Sequence, residues 1–216
     1  MFDTNSDLSL ETRQRLLDAA GAVFAEKGFA HATVREICKK AGANIAAVNY
    51  HFGNKQKLYE AVFAHFRKQM GEDVRHAATS GGSAEDRLRE FIRRFLRRLL
   101  DQGNQSCHGR LMAREMNEPT EVLDQLVEGE IRPRMLALQT IVRDLVGDLP
   151  PRAHAKIAAS VVSQMLHYHF ARPVLKRLSP IYPDLEEHVE ELVDHVTRFS
   201  LGGIRAVAER YKADRI

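Results

Sequence analysis

A chain of 216 residues, 44% of them hydrophobic, is long enough to bury one large core or two smaller ones and has the composition of an ordinary globular protein. Its formal net charge of +3 excludes a polycation that coats nucleic acid without selection, so any basic surface must be local. The two cysteines, Cys38 and Cys107, stand far apart in no metal-ligand spacing and read as free thiols, with Cys107 near a helix start, where a thiol pKa can be lowered.

The N-terminal stretch MFDTNSDLSLETRQ is polar and mildly acidic and lacks the charged-then-apolar pattern of a secretory signal. No apolar run approaches the ~20 residues that span a bilayer, so the expectation is a soluble, cytoplasmic chain without membrane contact. A first amphipathic helix follows, with Leu16, Leu17, Ala20, Val23 and Phe24 on one face and Gly28 near its end. Residues 33–55, TVREICKKAGANIAAVNYHFGNK, then hold two short helices and a tight turn. Thr33 and Glu36 stand at capping-box spacing, and Val34, Ile37 and Cys38 form an apolar stripe. Gly42 sits where the first helix must end, in a position that favours the left-handed conformation, and Asn44 can cap the second. That second helix buries Val48 and Phe52 and presents other residues outward. The pattern is a helix-turn-helix, whose second helix enters the major groove of DNA.

Beyond it a helix is expected from about Lys55 to about Ala78, a loop at 79–83 and a helix over 84–101. The last carries Leu88, Phe91, Ile92, Phe95, Leu96, Leu99 and Leu100 inward. Its other face holds Arg87, Arg89, Arg93, Arg94, Arg97 and Arg98, which reads as a solvated face with some inward-reaching arginines rather than a second nucleic-acid surface. A loop at 101–106, a short helix over 107–117 and a helix from Thr120, kinked near Pro133, come next. GDLPPR at 147–152 is a break. Ile157 to Ala171 contains no Asp, Glu, Lys or Arg, so that helix is buried on more than one side. The final helix, about 184–211, has a broad apolar face from Leu185 to Leu201 and a Gly202-Gly203 pair.

With Ala19, Ala20, Phe24, Gly28, Phe29, Thr33, Val34, Ile37, Ala41, Gly42, Tyr50, Phe52, Lys55 and Leu58 at their places, residues 10–65 resemble the TetR family of transcriptional regulators. RLMAREMNEPT and LHYHFARPVL resemble the C-terminal domain of the subgroup named for control of cefoperazone and chloramphenicol sensitivity. The resemblance implies an all-α protein, with a three-helix DNA-binding domain at 1–54 and a helical ligand-sensing and dimerisation domain at 55–216. It implies a homodimer on a palindromic operator in double-stranded DNA, released by a small-molecule effector, with no cofactor.

Residue roles follow from position. Thr33 and Lys55 open helices and can hold phosphates, and Tyr50 and His51 can contact phosphate or sugar. Arg35 can reach the groove edge, and Asn44 and Asn49 are candidate readers of adenine. Ala46 and Ala47 permit close approach. Together with Ile45 they replace more polar or glycine residues of the family pattern and shift specificity toward apolar groove contacts. Phe66, Met70, Phe95, Met112, Met116, Met135 and Tyr168 are candidates for an apolar effector pocket, with Arg110, Arg114 or His167 as polar anchors. Met165, Phe170, Leu192, Val196, Phe199 and Gly203 are candidates for the dimer interface. Two other classes compete. An enzyme is disfavoured, because His167 and His169 point to different sides of a helix and there is no catalytic or metal motif. A regulator of the same fold controlled by a protein partner would show a filled core and an exposed apolar patch instead of a cavity.

Overall fold

The computed structural model describes residues 4–69, 81–100, 105–178 and 187–213, and every regular element among them is helical. The elements are α1 (Thr4–His31), α2 (Val34–Ala41), α3 (Ile45–Phe52), α4 (Lys55–Gln69), α5 (Ala84–Leu100), α6 (Gln105–Asn117), α7 (Val122–Leu126), a π-helical turn (Val127–Ile131), α8 (Arg132–Val146), α9 (Pro151–Phe170), α10 (Arg172–Leu175) and α11 (Val189–Ala213). They form two compact units, one drawn from Met1–Gly71 and Gly103–Val127 and the other from Glu72–Gln102 and Glu128–Ile216. This physical division differs from the functional boundary expected at 54/55, because α4 and α6 both pack on α1.

In the first unit, Leu16, Leu17, Ala20 and Phe24 of α1 meet Ile37 of α2, Val48 of α3, Leu58, Tyr59 and Val62 of α4 and Leu111 of α6, all of them buried. Phe24, Phe29, Tyr59 and Phe63 form a chain of stacked, edge and tilted ring contacts with centroids 4.7–6.2 Å apart. Gly28, at φ 76°, breaks α1 before Phe29, in the left-handed region that only glycine enters cheaply.

In the second unit α5 is the hub, packed against α8, α9 and α11. Ser83 and Asp86 form a capping box at its start, with Ser83 Oγ accepting the Asp86 amide at 3.1 Å and Asp86 accepting the Ser83 amide at 3.1 Å. The arginine face is an ion-pair lattice. Arg87 pairs with Asp144 at 2.8 Å, Arg89 with Asp194 at 2.5 Å, and Arg94 with Glu90 at 2.7 Å. Arg93 and Arg97 converge on Glu190 at 3.1 and 3.0 Å, and Arg98 approaches the buried Glu130 at 3.9 Å. The more exposed of these pairs add roughly 0–1 kcal/mol each, and those to Asp194 and Glu190 tie α5 to α11.

Several boundaries differ from expectation. Helix α6 begins at Gln105 rather than 107, and α11 begins at Val189, with Leu185 outside the described residues. The described part of the helix after Lys55 ends at Gln69, and the remainder expected to Ala78 is likewise outside them. The irregularity expected at Pro133 lies just before it. Proline offers no amide and crowds the carbonyl four residues back, at Gly129, and the chain meets both by widening into the π turn over Val127–Ile131. Helix α9, free of Asp, Glu, Lys and Arg from Ile157 on, buries Ile157, Ala158, Val161 and Met165 in its own unit and leaves Ala159, Ser163, His167 and Phe170 exposed.

Truncating the fully buried Phe91 to Ala removes a ring stacked on Phe95 at the centre of the second core. It is expected to lower unfolding free energy by roughly 3–5 kcal/mol in a denaturant titration, with the slope unchanged.

Candidate nucleic-acid interface

The α2–α3 pair is held by its caps. Thr33 Oγ1 accepts the Glu36 amide at 3.3 Å, and Glu36 accepts the Thr33 amide at 3.1 Å, closing the capping box. Lys27 also pairs with Glu36, and the Lys27 ammonium and the Thr33 hydroxyl and amide together hold that carboxyl at a pKa of about 2. Gly42 takes the left-handed conformation, φ 62° and ψ 37°, and its amide reaches back to Cys38 and Lys39. Asn44 Oδ1 accepts the Ala47 amide at 2.8 Å and starts α3. Asn54, which sequence reasoning overlooked, does the same for α4, accepting the Lys57 amide at 2.9 Å. The cue was present, an asparagine three residues before the amide it caps.

Helix α3 buries Val48 and Phe52 and exposes Ile45, Ala46, Asn49 and Tyr50. Those four stand at i, i+1, i+4 and i+5 and share one face, with Tyr50 81% exposed. Arg35, Lys39 and Lys40 of α2 are exposed and have no carboxylate partner among the described residues. An apolar-centred reading face flanked by three cations suits the major groove and its phosphate walls.

Other candidates are less available. Asn44 has its oxygen engaged as a cap, leaving only its NH2 group to offer DNA. Ala47 is half-buried against the core, and His51 is half-buried with its ring against Tyr50. Lys55 lies over the Phe29 ring, with its ammonium 4.6 Å from the ring centroid and 3.4 Å from the Ala30 carbonyl, and burial pulls its pKa down. Its side chain is thus engaged inside the first unit. The Thr33 hydroxyl donates to Glu36, so the Val34 and Arg35 amides are the donors α2 retains at its N-terminus. Both thiols are pushed up by burial, Cys107 included, against the lowering that a helix start suggests.

The pocket candidates fall in both units. Phe66, Arg110, Met112 and Met116 belong to the first, and Phe95, Met135, His167 and Tyr168 to the second, while Met70 lies outside the described residues. Phe66 and Met112 pack on the first core, and Phe95, Met135 and Tyr168 on the second. Arg110 and His167 are exposed, and Met116 is 48% exposed, because the helix turns it away from the core side that holds Leu111 and Glu115. Arg114 is engaged within the first unit. Its guanidinium donates to the carbonyls of Ala25, at 3.2 Å, and Glu26, at 2.6 Å. Of the interface candidates, Met165, Leu192 and Val196 are buried in the chain's own core, whereas Phe170, Phe199 and Gly203 are exposed.

Two buried carboxylates had no sequence signal. Glu115, 1% exposed, accepts the Tyr59 hydroxyl at 2.7 Å and the Thr120 amide at 3.0 Å. Burial first, and the Glu115 bond next, push the Tyr59 phenol up, so it stays a proton donor. Glu130, in the π turn, accepts from Arg134 at 3.2 Å.

The fold and this face define a helix-turn-helix DNA-binding regulator. Residues 16–62 match the family described as bacterial regulatory proteins, tetR family, and residues 84–204 match the C-terminal domain of the HTH-type transcriptional dual regulator CecR. The chain belongs to the TetR family of transcriptional regulators, which is not a family of enzymes. It is 35% identical to the HTH-type transcriptional dual regulator CecR of Shigella flexneri over 133 residues, covering 57% of this chain and 59% of that relative's length. A regulatory protein of the tetR family from Rhodococcus RHA1 shares the fold, with a TM-score of 0.65 and 21% identity over 87% of this chain and 95% of that one. So does the SmeT–triclosan complex, with a TM-score of 0.62 and 19% identity over 86% and 89%.

Asn44→Asp separates the two uses of that residue. Aspartate caps as well as asparagine and suits a helix N-terminus, so the thermal midpoint is expected to stay within a few degrees. The same change removes the NH2 donor and sets a negative charge beside phosphate, and DNA affinity measured by fluorescence anisotropy is expected to fall by at least about tenfold, the value of one good base contact.

Proposed function

We propose that this chain is a homodimeric repressor that reads a palindromic operator and leaves it when a small molecule binds. The exposed α3 face is the observation that carries DNA reading. One eight-residue helix reads too few bases for high specificity, and a two-fold dimer doubles the site, with half-sites about 34 Å or a multiple apart. In this reading residues 1–54 read DNA and residues 55–216 sense and dimerise, in the cytoplasm where the operator is. No helix among the described residues is long and apolar enough to cross a membrane.

The dimer reading is supported by the outer faces of the last two long helices. Helix α9 exposes Ala159, Ser163 and Phe170, and α11 exposes Phe199, Gly202, Gly203 and Ala206, with Phe170 49% and Phe199 64% exposed. A Cβ at Gly202 or Gly203 would meet nothing within 4 Å in the chain itself, leaving room there for another backbone to approach. Phe199→Glu is expected to leave the far-UV spectrum unchanged, to shift sedimentation toward the monomer and to abolish operator binding. A variant that sediments like the wild type would move the interface elsewhere.

Effector release is supported by the apolar side chains around the second core, Phe95, Met135 and Tyr168 among them, and by the triclosan held by SmeT. A ligand releases the protein only if it binds the DNA-incompetent arrangement more tightly. The deciding experiment binds the purified protein to DNA from upstream of its own gene and to scrambled DNA of equal length at fixed near-physiological salt. Operator affinity at least about a thousandfold above scrambled is expected. Weak binding that fades equally on both DNAs as salt rises would leave only electrostatic attraction and count against the repressor. Specific binding that no small molecule weakens, but a protein partner does, would replace the effector.

A further inference from the structure

We propose that Arg114 and Glu115 are positioning residues for DNA recognition, consecutive members of α6 that fix the end of α1 and the body of α4. Helix α1 packs on α2 and α4 packs on α3, so these two residues hold the frame on which the reader is mounted. The proposal rests on the DNA-binding reading of α3.

Successive helical residues point about 100° apart, so neighbours on one helix can grip two others. Arg114 grips α1. Its Nε and Nη2 donate to Ala25 and Glu26, carbonyls of the last turn before Gly28 breaks the helix. Such carbonyls lack the amide that a continuing helix would bring, and the guanidinium fork supplies two donors at once. The fit is close, because a Cβ at Gly28 would lie 3.1 Å from Arg114 Nη1.

Glu115 grips α4 and a second element. Its carboxylate accepts the Tyr59 hydroxyl, the Thr120 amide at 3.0 Å and the Thr120 hydroxyl at 3.0 Å. Thr120 Oγ1 in turn accepts the Val122 amide at 3.2 Å and opens α7. Helix α7 runs directly into the π turn, within which the chain passes from the first unit to the second at 127/128. Removing either grip frees α1 or α4 to rotate without emptying the hydrophobic core.

The test uses the full chain with Arg114→Lys and Tyr59→Phe. Lysine keeps the charge but cannot bridge two carbonyls, and phenylalanine keeps the ring among Phe24, Phe29 and Phe63 while deleting one hydroxyl. Amide hydrogen exchange, thermal melting and operator affinity far below the melting point are measured together. The expected result is exchange faster by about tenfold at 24–31 for Arg114→Lys and at 55–66 for Tyr59→Phe, with α5, α8, α9 and α11 unchanged. Operator affinity falls by about tenfold, the equivalent of one charge-assisted hydrogen bond, with the salt slope unchanged. Unchanged exchange in both segments would overturn the proposal. So would faster exchange with wild-type affinity, which marks a merely structural role. A wild-type protein that selects no operator counts against the repressor alone, and the exchange pattern then decides whether the two grips exist.

Discussion

Two helices of eight residues carry the reading face, and neither is long enough to hold itself. An isolated helix below about 12–15 residues is marginal in water, so α2 and α3 depend on stopped ends and a buried side. Thr33, Glu36, Gly42, Asn44 and Gly53 close their ends, and Ile37, Val48 and Phe52 bury their inner faces against α1 and α4. The remainder of the first unit follows from that need. An exposed face can be left to Ile45, Asn49 and Tyr50, none of them a strong helix former, because everything opposite them is fixed.

How much could be read without coordinates depended on the range of the interaction. The capping box at Thr33, the turn at Gly42 and the cap at Asn44 are contacts between residues at most five apart, and each leaves its mark in spacing. The same spacing cannot reveal that Lys55 folds onto Phe29 and Ala30, 25 residues back. Arg114 and Glu115 find partners 88 and 56 residues away, and nothing in RLMAREMNEPT distinguishes a helix gripping two neighbours from a surface helix with a charge pair. Apolar periodicity gave the right helices but could not apportion a helix with two apolar sides. Met165, Leu192 and Val196 went to the chain's own core and Phe170 and Phe199 outward, a division set by where α5 lies.

The arginine run has a similar history. Six arginines on one helix resemble a nucleic-acid surface in sequence, yet the structure pairs them with Asp144, Asp194, Glu90, Glu190 and Glu130. Arg35, Lys39 and Lys40 of α2 are instead exposed with no carboxylate partner among the described residues. In the proposed reading, selection of a site depends on shape and apolar contact at α3 as well as on attraction to phosphate.

The pairing of α5 with α11 bears on synthesis as well as on the finished protein. Every residue of the first unit lies at or before Val127, so all of it is synthesised before α8, α9 and α11. Until Glu190 and Asp194 emerge, Arg89 and Arg97 have no acid to meet, and the apolar side of α5 lacks its last cover. During that interval the nascent chain carries a cationic, half-covered helix. The final 25-residue helix both neutralises and covers it, so a chain cut before α11 would leave the apolar side of α5 open to other chains.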